Sequence, residues 1–345
     1  MTNSDQDQTI PYYDVIIIGS GIAGLTAARI IRQSGHNCLI LDKGRRIGGR
    51  CATRRQEGVI FHHGAQFFTA KDPEFRTLID QATQAGAVAE WVFGQPDMPQ
   101  ERRCYVGTPT MRDFANFLGQ DIAITQSVQI TAIERRTKDL VPHYHLISDD
   151  GTKYHAKSVI VTVPAPQAEL LVQPVSEVLA ATAAQARYAP CWTVMIALNK
   201  ALDHNLVDQL PLRASAASES VFGWASYEPA RPQANSIPPA LTLQAAPEAS
   251  QKMINWDKED VIAAMIEAFH QATNSPITSD MISFTTAHRW LYAKVEQAAS
   301  SDLAFADHDD TLLLAGDWFG PARIESAFIA GRRAARHYLA ASHQR

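Results

Sequence analysis

The stretch Asp14-Val15-Ile16-Ile17-Ile18-Gly19-Ser20-Gly21-Ile22-Ala23-Gly24-Leu25 decides the fold. A run of β-branched residues, the mark of a strand buried on both faces, drives into glycines at G-x-G-x-x-G spacing. It reads as strand, tight turn, helix. In such a unit Gly19 permits the turn, Gly21 lets a pyrophosphate approach the backbone, and Gly24 lets the helix lie against the strand. Free N–H groups at the helix start, at the positive end of the helix dipole, then face the phosphates. Ser34-Gly35 offers a helix stop, and Asn37-Cys38-Leu39-Ile40-Leu41 is a second strand ending on Asp42. That acid stands where a dinucleotide fold wants a ribose-binding carboxylate. With strand, helix and acid together, a dinucleotide site outweighs a merely tight strand-helix turn.

Working outward, Lys43-Gly44-Arg45-Arg46-Ile47-Gly48-Gly49-Arg50 is neither good helix nor good strand. Alone it reads as a solvated basic loop. Directly after the second strand of a dinucleotide fold it suits a loop closing over phosphates, with backbone donors and guanidinium groups both available. Val59 to Phe68 is a short apolar stretch broken by Gly64-Ala65, small enough for a flat ring to approach the backbone. Its paired His62 and His63 invite a metal reading, but neither Cys nor acid stands at ligand spacing.

Bulk properties bound the rest. At 345 residues two domains are expected, and 46 % hydrophobic with 19 % charged residues is ordinary for a globular protein. A net charge of -5 without a basic stripe argues against nucleic acid. Cys38, Cys51, Cys104 and Cys191 are too widely spaced for a zinc site or a disulfide framework. No apolar run reaches a membrane span, and the start Thr2-Asn3-Ser4-Asp5-Gln6-Asp7-Gln8 lacks the features of a signal peptide. The expectation is a cytoplasmic protein, monomer or dimer, acting on a small molecule.

Helices are expected from Asp72-Pro73 to Ala85-Gly86 and over Met111 to Leu118, and a strand over Ser127 to Ile133. Asp149-Asp150-Gly151 signals a hairpin between His143–Ser148 and Thr152–His155; Ser158 to Val163 is a buried strand that Pro164 ends. Further strands fall at 193–198, 220–227 and 241–245, and a helix at 257–269. Prolines at Pro229 to Pro232 and Pro238-Pro239 read as loops at the edge of a second domain. Thr311-Leu312-Leu313-Leu314-Ala315-Gly316-Asp317 repeats the opening grammar, a buried strand ending on an acid, before a helix from Ile324 to Leu339. Asp317 is then either a second cofactor contact or a plain loop acid.

The G-x-G-x-x-G turn, Gly48-Gly49-Arg50, and Gly316-Asp317 with Glu325-Ser326-Ala327 together resemble the FAD-dependent amine oxidase superfamily. Within it, Gly48 to Arg54, His63-Gly64-Ala65-Gln66-Phe67-Phe68-Thr69 and His288-Arg289-Trp290-Leu291-Tyr292-Ala293 look like bacterial renalases, and the resemblance covers nearly the whole chain. It implies an α/β architecture: a Rossmann-type FAD-binding domain over 1–75, 120–165 and 286–345, and a mixed-sheet α+β substrate domain over 76–119 and 166–285. It also implies that Gly19, Gly21, Ile22, Ala23 and Gly24 hold the pyrophosphate, Asp42 the adenosine ribose, and Val128 the adenine. Lys43, Gly49 and Arg50 would serve the phosphates or ribityl chain, Ala65 and Gln66 would lie by the isoalloxazine, and Gly316 and Asp317 would serve the ribityl hydroxyls. Ile324 would offer its N–H to the flavin pyrimidine from a helix start. No Cys occupies an evident attachment position, so the FAD is expected to be non-covalent.

One departure bears on substrate. Where amine oxidases commonly place a cage aromatic, two positions before Glu325, stands Arg323, whose permanent charge repels an alkylammonium unless it turns away to pair with Glu325 or Asp317. The resemblance to renalases implies oxidation of 2- or 6-dihydro isomers of NAD(P)H by hydride transfer to FAD, then to O2, giving NAD(P)+ and hydrogen peroxide. Another amine oxidase or dehydrogenase chemistry is the alternative. Gln66, His288 and Trp290 are the expected catalytic residues, with Phe68, Trp318 and Arg323 binding substrate; core packing is the competing reading for Phe68 and Trp290.

Overall fold

Val15, Ile16 and Ile17 are all fully buried, as a strand covered on both faces and paired on both edges requires. The computed structural model describes residues 11–56, 58–93, 103–138, 141–213, 221–232, 238–299, 307 and 309–344, so the polar start Thr2 to Gln8 lies outside it. In chain order come β1 (Tyr12–Ile18), α1 (Ile22–Gln33), β2 (Cys38–Asp42), β3 (Arg54–Gln56), β4 (Val59–Phe61), α2 (Pro73–Gln84), β5 (Val88–Glu90) and β6 (Tyr105–Gly107). Next are α3 (Met111–Leu118), β7 (Ala123–Gln126), β8 (Ile130–Lys138), β9 (Val141–Ser148), β10 (Lys153–Val161), α4 (Ala165–Val172), α5 (Glu177–Ala183) and β11 (Arg187–Leu198). The chain continues with α6 (His204–Val207), β12 (Leu212–Arg213), β13 (Phe222–Tyr227), β14 (Ala240–Ala245), α7 (Pro247–Lys252) and α8 (Lys258–Thr273). It closes with β15 (Ile282–Gln297), β16 (Leu312–Leu314) and α9 (Ile324–Ser342). Among the described residues no helix is long and apolar enough to cross a membrane.

Two compact units result: Met1–Gly49, Leu118–Ala186 and Gln297–Arg345 form the first, and Arg50–Phe117 with Arg187–Glu296 the second. The first is built on a seven-stranded sheet ordered β7-β2-β1-β10-β9-β8, with β16 also on β10. β1 runs parallel to β2 and β10, and β10 parallel to β16. The strands expected at Thr152–His155 and Ser158–Val163 are one continuous strand, β10, whose first half pairs antiparallel with β9 and whose second half passes to β16. The turn before it closes as its residues demand: Asp150 Oδ1 accepts from Ser148 Oγ at 2.6 Å and from the Thr152 N–H at 2.9 Å. β8 starts only at Ile130, because Ser127 sits at φ 60 and takes the chain out of extended geometry. α9 lies so close to α1 that a Cβ on Gly331 would stand 2.2 Å from the Ala23 carbonyl oxygen.

The second unit carries a five-stranded sheet, β12-β13-β14-β11-β15. Alternation along β11 separates its two faces. Val194 and Ile196 join Phe222, Leu241 and Leu243 beneath Val261, Met265 and Phe269 of α8, whereas Met195 and Ala197 meet Val59 and Phe61 of β4. α2 begins where Asp72 accepts the Phe75 N–H at 3.0 Å, an N-cap with proline next to it.

These units shift three expected boundaries. Residues 50–75 and 286–296 belong with the second unit, since β4 packs on its sheet and β15 is a strand of that sheet. Residues 166–186 belong with the first, as α4 packs beside β8 and α5 packs on α4. β15 escaped prediction as a strand because its residues do not alternate cleanly between polar and apolar.

Candidate functional site

In the first unit the glycines divide their work as the backbone requires. Gly19 sits at φ +108, in the left-handed region that a turn here needs. A Cβ on Gly24 would stand 2.0 Å from the Gly19 carbonyl oxygen, so strand and helix touch through backbone. Over Gly21 the reverse holds: a Cβ there meets nothing within 4 Å, and Gly21 is the N-cap of α1 without a side-chain cap. The helix thus presents uncapped donors, at the positive end of its dipole, to open space. Gly48 donates its N–H to Ser20 O at 2.9 Å, and Gly49 lies with its Cβ direction 3.5 Å from Gly21 Cα. Residues and space together fit a dinucleotide pyrophosphate.

Asp42 is tied to this turn. Its Oδ2 accepts from the Ser20 N–H and, at 2.7 Å, from Ser20 Oγ, while Oδ1 accepts from the Gly44 N–H at 2.6 Å. Lys43 is exposed and donates from Nζ to Gln167 Oε1 at 3.1 Å. The Val128 N–H goes to Asp42 O at 2.9 Å. Farther along, Asp317 is buried at the head of a short turn, Asp317–Phe319, and Ile324 is the first residue of α9. Arg323 is exposed at the N-cap of that helix, in extended geometry.

Trp318 corrects an expectation. Its exposure is 0 %, its Nε1 donates to Val163 O at 3.2 Å, and its ring stacks on Phe319 at 4.0 Å between centroids. Gly316 makes room for it, since a Cβ there would stand 2.2 Å from Trp318 Nε1. The indole is core, with no face left for substrate.

In the second unit the segment His62–Gln66 is the centre. Ala65 is the only partly exposed residue from Phe61 to Gln66, and it donates its N–H to Arg50 O at 2.8 Å. Gly64 passes the same carbonyl so closely that a Cβ would stand 2.0 Å from it. Arg50 itself gives Nη1 to the carbonyls of Tyr292 and Ala293, both at 3.3 Å, which bind it to β15. Gln66 does not face outward as expected. Its Nε2 donates to His62 O and, at 3.2 Å, to Gly64 O; its Oε1 accepts from Trp224 Nε1 at 3.2 Å, Ser226 Oγ at 3.0 Å and Arg231 Nη1 at 3.2 Å. An amide with both ends filled has nothing left for a substrate.

Phe68 is likewise core. It is buried, stacks on Phe114 at 5.1 Å, and exchanges backbone hydrogen bonds with Tyr105 at 2.8 and 2.9 Å. His288 and Trp290 do come together, with His63 as an unforeseen third ring. Trp290 lies 26° from parallel to His63 at 5.3 Å, His288 meets Trp290 edge-on at 4.5 Å, and Trp290 Nε1 donates to His63 O at 2.8 Å. Burial, then the cations and imidazole around it, push His63 down to about 3; burial and Arg54 also lower His288. Both rings are therefore neutral near pH 7, and His63 Nδ1 is buried without a hydrogen-bond partner.

The residues that sequence reasoning missed are Glu228 and Arg231, from the proline-rich stretch expected to be an edge loop. Both are buried, at 0 % and 5 % exposure. Glu228 accepts from the His62 N–H at 3.0 Å, from His62 Nδ1 at 2.6 Å and from Thr242 Oγ1. Arg231 donates to Gln66 O and stands 4.5 Å over the Trp91 ring. Burial opposes ionisation of Glu228, but His62, Arg231 and Thr242 outweigh it and hold the carboxyl below its usual range. Burial lowers His62, so the pair is a carboxylate and a neutral imidazole donating from Nδ1. Only the acid at 228 and the base at 231 hinted at this, and spacing alone does not tell a buried pair from a solvated one.

Comparison with known proteins agrees with this architecture. Residues 17–82 match the NAD(P)-binding Rossmann-like domain, and residues 120–339 match flavin containing amine oxidoreductase. Relatives include protoporphyrinogen oxidase 2 of Arabidopsis thaliana, 33 % identical over 19 % of this chain and 13 % of its own. Putrescine oxidase of Kocuria rosea is 32 % identical over 28 % of this chain and 20 % of its own. All-trans-retinol 13,14-reductase of Danio rerio is 28 % identical over 34 % of this chain and 21 % of its own. The chain thus matches a fifth or so, or less, of the length of these relatives. A crystal structure from Exiguobacterium sp. 255-15, provisionally described as a protoporphyrinogen oxidase, shares the fold at a TM-score of 0.71 and 12 % identity, over 93 % of this chain and 97 % of that one. A Rossmann-type unit with a second mixed-sheet unit, and a family whose members carry flavin, leave one assignment: this chain belongs to the flavin-containing amine oxidoreductase family.

Proposed function

We propose that this protein is a flavin-dependent oxidase of 2- or 6-dihydro isomers of NAD(P)H, returning them to NAD(P)+. The observation that carries the reading is the neutral ring cluster His63–His288–Trp290. FAD, held non-covalently, would supply the hydride acceptor, with O2 as the final acceptor and hydrogen peroxide as the product. Loss of hydride turns a dihydropyridine into an aromatic cation, and no proton has to be abstracted. Neutral π faces suit that change: they take a flat ring, and their quadrupoles stabilise positive charge as it develops. A base is not needed: His63 is held down at about 3, far from the range of a base near pH 7, and burial, with Arg54, lowers His288 as well. His288, partly exposed, is the group we assign to the carboxamide.

For the cofactor, the open turn at Gly21 with Ile22, Ala23 and Gly24 is read as the pyrophosphate site, Asp42 as the ribose ligand, and the Val128 carbonyl as the adenine contact. Ala65 is read as a flavin neighbour, and Gly316, Asp317 and Ile324 as the ribityl and pyrimidine end. Non-covalent binding is supported by the cysteines: burial pushes the Cys38 and Cys51 thiols up to about 12 and Cys191 to about 11, which leaves little thiolate to attack a ring. Putrescine oxidase among the relatives favours an amine instead. Against that stands Arg323, a permanent cation exposed at the start of α9.

Anaerobic mixing with each dihydronicotinamide isomer decides the matter. The visible flavin band should bleach within the mixing experiment. If neither isomer bleaches it and a panel of amines does, the substrate reading is wrong.

A further inference from the structure

The contacts of the second unit's buried ions are distributed in an uneven way. Arg231 Nε stands 3.8 Å from Glu228 Oε2, a loose pairing for two charges taken fully out of water. Their close contacts go elsewhere, to the two ends of one segment: Glu228 holds the N–H and imidazole of His62, and Arg231 holds the carbonyl and amide oxygen of Gln66. Between those ends Thr193 Oγ1 donates to His63 O at 3.1 Å and Gln244 Nε2 to Gly64 O at 2.7 Å. Burying an ion carries a desolvation cost that apolar side chains of the same size would avoid. What apolar side chains cannot do is fix a backbone from both ends. The segment so fixed presents Ala65 alone to the outside.

We propose that Glu228 and Arg231 are positioning residues, which set the height and tilt of Gly64-Ala65 against the flavin ring; this rests on the reading that the flavin lies against Ala65. They touch no substrate, and they act through His62 and Gln66. Because the clamp is made of one negative and one positive group, removing both together leaves no uncompensated charge in the core, and the fold then separates from the positioning.

The test uses the full chain reconstituted with FAD and the double variant Glu228→Gln/Arg231→Met. Its circular dichroism and Tm should stay near those of the unsubstituted protein. Its Kd for FAD should rise about tenfold or more, and the bound-flavin absorption band should change shape and position. Unchanged Kd and unchanged band in a folded double variant overturn the proposal. Should that variant fail to fold, Thr242→Val decides, as it removes one hydroxyl donor to Glu228 at constant shape: a rise in Kd of about three- to fivefold is expected, and no rise overturns the proposal. Neither measurement involves a substrate, so failure of the isomer titration strikes the substrate reading alone. An unsubstituted protein that takes up no FAD overturns the cofactor reading and this proposal together.

Discussion

The Gly19–Gly24 turn into α1 and the His62–Gln66 segment both carry candidate ligand contacts, yet they are held in opposite ways. The turn is shaped by backbone against backbone, with Gly24 against the Gly19 carbonyl and one carboxylate, Asp42, tying it down from the next strand. The segment is shaped by side chains that arrive from residues 193, 224, 226, 228, 231, 244 and 290. Backbone contact demands glycine and leaves a readable spacing. Side-chain clamping leaves its residues scattered over four strands and the turn after β13, and no single one of them announces the role.

The largest effect should separate two glycines of the same turn. Gly24→Val places a side chain on the Gly19 carbonyl and should cost about 5 kcal/mol, read as loss of the folding transition in urea. Gly21→Val enters open space at φ -72, so the chain should fold with near-normal stability while losing its yellow colour on purification. Full colour in the second variant would show that no phosphate lies there.

Next comes the segment. Glu228→Gln alone leaves Arg231 buried without its counter-ion and should destabilise the protein by about 3–5 kcal/mol in urea melts, far more than the double variant. A single variant no worse than the double would mean that the charges are not coupled.

A smaller effect follows from His63. Its folded value is pushed down to about 3 from the ordinary 6.5, so the unfolded chain binds a proton that the folded chain refuses. Stability from this group is complete above about pH 6.5 and is lost as pH falls toward 3, by about 1.4 kcal/mol per pH unit. Urea midpoints at pH 7 and pH 5 should therefore diverge less in His63→Leu than in the unsubstituted protein. An equal divergence would assign the acid sensitivity to other groups.

The smallest expected effect returns to the turn. Ser20→Ala removes the hydroxyl from Asp42 but keeps the backbone N–H, and should cost about 1.5 kcal/mol in thermal melts. A cost as large as that of Glu228→Gln would show that the turn, too, depends on side chains.

Legibility in the sequence tracks this division. β1, α1, β2 and α2 follow from periodicity, cap residues and glycine spacing, and the second half of β10 follows as a buried strand from its apolar run, though not its pairing with β1. β15 does not, because a strand half-exposed along most of its length shows neither alternation nor a solid apolar run. Among candidate site residues, Gly21 and Asp42 stand out through local rules. Gln66, Phe68 and Trp318 mislead, since a large or polar residue beside glycine reads the same whether it faces a ligand or fills a core. His63 and Arg231 were illegible because what defines them is the partner across the fold, and partner choice over such separations is not written in spacing.

The contact between Gly331 and the Ala23 carbonyl has a consequence for synthesis. The first helix of the chain is packed by its last, so the N-terminal turn cannot reach its final packing when it leaves the ribosome. At about 5–20 residues per second the intervening chain takes roughly 15–60 s to appear. Throughout that interval α1 lacks the helix that packs on Ala23, and a cell making this protein must keep an unfinished nucleotide fold from aggregating until residue 331 is in place.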